Sequence, residues 1–239
     1  MSIRVRIRFS KLGKVRFTSH RDVARIWERG LRRAELPIAY TEGFSPRPKL
    51  SFGFALSTGY ESYGEYLDVA LREALGEAEI HELPRRLAPA LPEGIEVQAV
   101  AALPPGATSL QQAVTSCTWH IDVAADPPAV AAATGDALAA PELVVTRERK
   151  GQSVTDDVRP AILSAEVLGP PGGTTIEAEL ATQPRGLRPA EFLAAIDPTW
   201  RAERVTRISQ WTQVGGARRE VIDLPPAATP PPHAEVRAS

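Results

Sequence analysis

Residues 3–9 read Ile3-Arg4-Val5-Arg6-Ile7-Arg8-Phe9, a strict alternation of apolar and basic side chains. A period of two places Ile3, Val5, Ile7 and Phe9 on one face of a β-strand, toward a core. The turn Lys11-Leu12-Gly13-Lys14 follows, and the period then changes. Val23, Ile26, Trp27, Leu31 and Ala34 recur at helical spacing, while Arg21, Arg25, Arg29, Arg32 and Arg33 project from the other side. Ser19 is expected to cap this helix with Asp22 at its third position, and Pro37 ends it.

From this strand and helix the pattern extends outward. The loop Thr41–Pro48 leads to a strand at 49–56, and a second strand covers Glu65–Leu71. Residues 78–90 suit a helix despite Pro84, and 95–101 a strand. The order β-α-β-β-α-β is that of the ferredoxin-like arrangement, an antiparallel sheet with two helices on one face. After a Pro/Gly stretch at 103–109 the order runs again: strand 117–124, helix 127–140, strand 142–149, a polar loop, strands 161–168 and 173–181, helix 189–196 and strand 203–214. The second run has one strand more than the first. The expected fold is therefore α+β, with two tandem ferredoxin-like (βαββαβ) subdomains at 1–102 and 117–215. A linker at 103–116 joins them, and a Pro-rich tail at 216–239 has the composition of disorder.

Charge is distributed unevenly. Thirteen of the 28 Lys and Arg residues precede position 60, against the four acids Asp22, Glu28, Glu35 and Glu42, a local charge of +9. The remaining 15 basic and 25 acidic residues carry −10, which hides the asymmetry within a net charge of −1. Such a field draws a polyanion to one end of the molecule, RNA or DNA first among the candidates. No run approaches the roughly 20 apolar residues of a membrane span. The alternating N-terminus lacks the apolar core of a signal peptide. The single cysteine, Cys117, excludes an intrachain disulfide and a Cys-based cluster. These features imply a cytoplasmic protein without a membrane, metal or cofactor of its own.

Two segments concentrate chemistry. In Lys14-Val-Arg-Phe-Thr-Ser-His20-Arg-Asp22, unpaired amides at a helix N-terminus suit a phosphate, with Lys14, Arg16, Arg21 and Arg25 adding charge and His20 at the mouth. The alternative is that Ser19 and Asp22 merely cap the helix and His20 is solvated. In Gly43-Phe-Ser-Pro-Arg-Pro-Lys49, two prolines stiffen a loop that offers Arg47 and Lys49 to a backbone and Phe44 either to a base or to the core. Phe52 and Phe54 share one strand face and read as core more readily than as stacking residues. Glu61, Glu65 and Asp68 match no metal-loop spacing and are expected to balance nearby basic residues. Arg185, Arg201, Arg204 and Arg207 are expected to form surface salt bridges with Glu191 and Glu203, a second RNA contact being the alternative.

The ordered set Phe17-Thr-Ser-His-Arg-Asp-Val, Arg32-Arg-Ala-Glu-Leu-Pro-Ile-Ala-Tyr, Gly43-Phe-Ser-Pro-Arg-Pro-Lys-Leu-Ser-Phe and Glu65-Tyr-Leu-Asp resembles the radical-SAM-linked, or radical-SAM-associated, family of unknown function. Gly186-Leu-Arg-Pro-Ala-Glu and Arg204-Val-Thr-Arg extend the resemblance into the second half. In that family the domain follows a radical-SAM enzyme or stands alone beside genes for an RNase of the E/G type and ribosomal proteins. The resemblance thus implies an RNA or ribosome context and no defined reaction. With one cysteine the chain lacks a CxxxCxxC site, so radical chemistry would come from a partner. The leading expectation is a non-catalytic RNA-binding or substrate-presenting protein. The alternatives are a metal-independent endoribonuclease using His20 as acid or base, an accessory subunit docking a radical-SAM enzyme, and a small-molecule pocket around His20 and Glu65.

Overall fold

The computed structural model describes residues 3–149, 151–168 and 174–222. Its first half runs β1 (Ile3–Lys11), a 3₁₀ turn (Gly13–Phe17), α1 (His20–Arg33), β2 (Leu50–Phe52), β3 (Glu61–Leu71), α2 (Glu77–Leu87) and β4 (Val97–Leu103). A four-residue α3 (Leu110–Ala113) leads into β5 (Val114–Val123), α4 (Pro127–Ala139), β6 (Val144–Arg149) and β7 (Gln152–Asp157). Then come β8 (Ile162–Leu168), β9 (Thr174–Ala181), α5 (Pro189–Ile196), β10 (Ala202–Val214) and β11 (Ala217–Glu220). The fold is mixed α+β, built on a nine-stranded, mostly antiparallel sheet ordered β4-β1-β3-β10-β5-β9-β8, with β2 on β3 and β11 on β10. No helix among the described residues is long and apolar enough to cross a membrane.

Alternation in β1 buries Val5, Ile7 and Phe9 against α1 and α2, in a core with Trp27, Leu31, Leu67, Val69, Leu83 and Leu87. Trp27 is fully buried and meets Phe9 edge-on at 4.8 Å. Ile3, expected inward, is exposed at the start of the strand. A second core gathers Trp119, Ile121, Ile176, Leu180, Phe192 and Val205. The two halves share one sheet instead of closing separate ones, because β10 pairs in parallel with β3 through Thr206 and Glu61, and Arg207 and Ser62. Gly64 sits at this seam, where a Cβ would press on the Ile208 carbonyl oxygen at 3.2 Å.

The opposite face of the first half is covered too. Arg6 forms a two-pronged pair with Asp68 and also donates to the Thr108 carbonyl, and Arg4 donates to the Ala107 carbonyl. Arg8 pairs with Glu220 of β11. Residues 104–113, expected as part of a linker, therefore lie across the arginine face of β1. This corrects the reading of the +9 segment as free surface charge. Arg6, Arg8 and Lys11 are 6%, 2% and 3% exposed, and acids distant in sequence neutralise the two arginines.

Other elements differ from expectation for local reasons. The strand at 49–56 shortens to Leu50–Phe52, because the Phe54 and Ala55 carbonyls turn away to accept from Arg207. The polar loop after β6 is a strand, β7, which pairs with β6 through six residues outside the main sheet. Residues 217–220, assigned to the tail, return as β11 after Gly215 and Gly216, whose positive φ values (58° and 81°) suit a tight hairpin. The rest of the expected tail, 223–239, lies outside the described residues.

Candidate functional site

Three regions could meet a ligand: the outer face of α1 with its two ends, a buried charge cluster, and a cleft beside it. On α1, Arg21, Arg25, Arg29 and Arg33 are all exposed and spaced four residues apart. At 1.5 Å per residue they span about 18 Å of one side of the helix. The apolar stripe of Val23, Trp27 and Leu31 holds that side outward. Ser19 caps the helix as expected. Its Oγ accepts from the Asp22 amide at 3.2 Å and donates to Asp22 Oδ2 at 2.7 Å. This bond, with Arg25 and Arg21 helping against some desolvation, holds the Asp22 carboxyl below the usual range. Arg25 makes an exposed pair with Asp22 at 3.2 Å, worth little in water.

At the N-terminal end of α1, Lys14 is exposed on the 3₁₀ turn. Arg16 is half-buried, pairs with Glu61 at 3.1 Å and lies 4.7 Å from the centre of the exposed Phe17 ring. His20 is exposed and meets Phe52 edge-on at 5.1 Å. Its ring borders a recess of about 20 Å³ shared with Lys11 and Glu65, room for about one water. Among the described residues no group hydrogen-bonds to His20.

At the other end, the loop after α1 is tied down by the Tyr40–Pro48 bridge and by Thr41 bonds to Arg47. Phe44, Arg47 and Lys49 are exposed there, and Phe44 is wholly so. The two ends are far apart. Arg16 is anchored at Glu61, whereas Lys49 accepts from Ala70, nine residues further along β3. At roughly 3.4 Å per residue this is about 30 Å along β3, so Arg16 and Lys49 do not converge on one phosphate. Phe52 and Phe54 separate as well: Phe52 packs against the first core and Phe54 against the second.

The least expected feature lies at the seam. Arg207 is 2% exposed, donates to Glu65 Oε1 at 2.9 Å and lies 4.7 Å from the Trp119 ring centre. Its Nε has no hydrogen-bond partner among the described residues. Lys11 Nζ donates to the Arg16 and Thr18 carbonyls at 3.2 Å each. Burial lowers its pKa; Glu65 opposes that shift and Arg207 adds to it. Two buried cations thus stand against one buried carboxylate. Glu61, Glu65 and Asp68 each serve a different arginine, as a balancing role requires. Among the described residues, the surface bridges expected for the second-half arginines hold only for Arg185 with Glu191. Arg204 pairs with Asp122 across the sheet, and Arg207 is internal because β10 continues the inward alternation from Val205.

Beside Arg207 opens a cleft of about 330 Å³ between the halves, bordered by Phe54, Tyr60, Trp119, Leu187 and Arg188. Tyr60 and Trp119 meet edge-on at 6.2 Å. Cys117 forms part of its floor, and burial pushes the thiol up to about 11, so it stays protonated at neutral pH. Period-two reading from Phe9 to Lys11 and from Val205 to Arg207 carried the signal for these buried charges. Nothing in the sequence pairs Tyr60 with Trp119.

Residues 4–189 match the model of a family described as an uncharacterized protein conserved in bacteria, DUF2344. That is more than three quarters of the chain, and the protein belongs to this family. No curated protein matches it.

Proposed function

On the premise of that family, we propose that the protein binds single-stranded RNA along the outer face of α1. The observation that carries the reading is the row Arg21, Arg25, Arg29 and Arg33, exposed on a rigid helix with an exposed phenylalanine beyond each end. A cationic track with aromatic platforms is how sequence-tolerant single-strand binding works: arginines follow the phosphates and rings stack on bases. Phe17, with Arg16 beside it, serves the N-terminal end. Phe44, with Arg47 and Lys49, serves the other. Lys14 and His20 flank the first platform.

A binding role rather than a cleaving one is supported by His20, which has no hydrogen-bonded acid or base among the described residues and borders a recess too small for a phosphate. The helical order within each half, and the strand orders β4-β1-β3-β2 and β10-β5-β9-β8, support reading each half as a ferredoxin-like repeat. A radical-SAM enzyme is a partner this reading accommodates. Such a partner would bring its own cluster, since the chain's one thiol is buried.

The test is fluorescence anisotropy with a labelled single-stranded RNA, comparing wild type with Arg21, Arg25, Arg29 and Arg33 all changed to Gln. Each phosphate contact contributes a salt slope of about 0.7 on single strands, so four contacts make the loss at 0.1 M salt several hundred-fold. Binding within threefold of wild type would sink the assignment.

A further inference from the structure

We propose that the cleft between the two halves is a mononucleotide site, separate from the α1 track. The base lies against Tyr60, Trp119 and Phe54, and the phosphate meets Arg188 at the rim.

Four features of the cleft lead there. Its volume, about 330 Å³, is at the small end of the roughly 300–1,000 Å³ of ligand pockets. Three aromatic rings border it, which suits a planar π-system. Ser57 supplies a hydroxyl for the polar edges of a base or ribose, and Thr182 Oγ1, which donates to the Val114 carbonyl at 2.7 Å, can still accept. Arg188 is exposed at the mouth, and its charge is felt at Tyr60, whose hydroxyl burial otherwise pushes up.

The electrostatics favour an anion. Arg207 lines the cleft itself, and Lys11, Arg207 and Arg218 against Glu65 and Glu179 leave one positive charge in excess around it. Such a largely buried excess is poorly screened and attracts a negative group entering from solvent. No carboxylate lines the cleft among the described residues. An aromatic amino acid would therefore leave its ammonium without an acidic partner, whereas a nucleotide at neutral pH presents an aromatic base, hydroxyls and negative charge, and no cation.

The test is titration of the intact protein with AMP, GMP, CMP, UMP, adenosine and inorganic phosphate, followed by calorimetry and by tryptophan emission. At least one nucleoside monophosphate is expected to bind saturably, with adenosine and inorganic phosphate at least tenfold weaker. Arg188→Gln, an exposed change that spares the fold, should weaken the nucleotide about tenfold, the value of a charged hydrogen bond. Tyr60→Phe should leave binding nearly intact and Tyr60→Ala should weaken it. The α1 variant with four arginines changed should bind the nucleotide as wild type does, which separates this site from the RNA track. A 5′-phosphorylated trinucleotide distinguishes sources: tighter binding than the monophosphate marks a strand end, weaker binding a free nucleotide. No saturable binding of any monophosphate at millimolar concentration, or phosphate alone binding equally well, would overturn the proposal. So would indifference of nucleotide binding to both Arg188→Gln and Tyr60→Ala.

Discussion

Replacing Arg207 by Met tests how the two halves are held together. The arginine is 2% exposed, and at the seam it bonds Glu65 at 2.9 Å and the Phe54 carbonyl at 3.0 Å. It also lies over Trp119 at 4.7 Å, a desolvated cation–π contact worth about 2 kcal/mol. Removing one member of a buried ion pair costs about 3–5 kcal/mol, because the carboxylate left behind is uncompensated. Methionine recovers part of the apolar contact, and Lys11 still faces Glu65. The net expectation is a loss of about 3 kcal/mol. Arg207→Lys should not rescue it, since an ammonium cannot serve the carboxylate and two carbonyls while stacking flat on an indole. Urea denaturation followed by circular dichroism measures the change through the midpoint and slope. A double-mutant cycle with Glu65→Gln isolates the pair, with an expected coupling of at least about 2 kcal/mol. Additive single effects, or an Arg207→Met protein within about 0.5 kcal/mol of wild type, would refute the seam as described.

Other consequences follow from single residues. Trp27 is fully buried and its indole N–H has no partner among the described residues, so Trp27→Phe should cost far less than the 3–5 kcal/mol or so of Trp27→Ala, by the same denaturation assay. Gly94 has φ +89°, and a Cβ there would lie 2.2 Å from the Leu12 carbonyl oxygen. Gly94→Ala should therefore cost about 2–4 kcal/mol, from strain and overpacking together, and a midpoint near wild type would contradict it. Lys11 has a folded pKa below 10.5, so the unfolded chain holds a proton that the folded chain releases between those values. Stability should rise with pH across that window. Lys11→Met should flatten the rise in denaturation curves below about pH 10, before the tyrosines contribute.

What the sequence disclosed depended on how local the determinant was. The alternation of Ile3–Phe9 and the spacing of Val23, Trp27 and Leu31 specify β1 and α1, since burial of one face and capping by Ser19 act within a few residues. The charge count misled because Arg6 and Arg8 find their acids at Asp68 and Glu220, partners set by sheet register and by a strand more than 200 residues away. β2 lost five of its eight expected residues where the chain turns to Arg207, another non-local effect. Of the candidate site, the exposed cations of α1 and the loop were legible. The distance between the Arg16 and Lys49 ends was not, because only β3 separates Glu61 from Ala70. Tyr60 and Trp119 meet across the seam between the halves, and no spacing rule could pair them.

The central claim is a cationic track on α1, and the salt dependence of RNA binding tests it most directly. The account predicts that log K falls linearly with log salt for wild type, and that changing Arg21, Arg25, Arg29 and Arg33 to Gln reduces the slope by about 2.8, or 0.7 for each arginine. An unchanged slope, or no binding of single-stranded RNA by wild type at low salt, would contradict it.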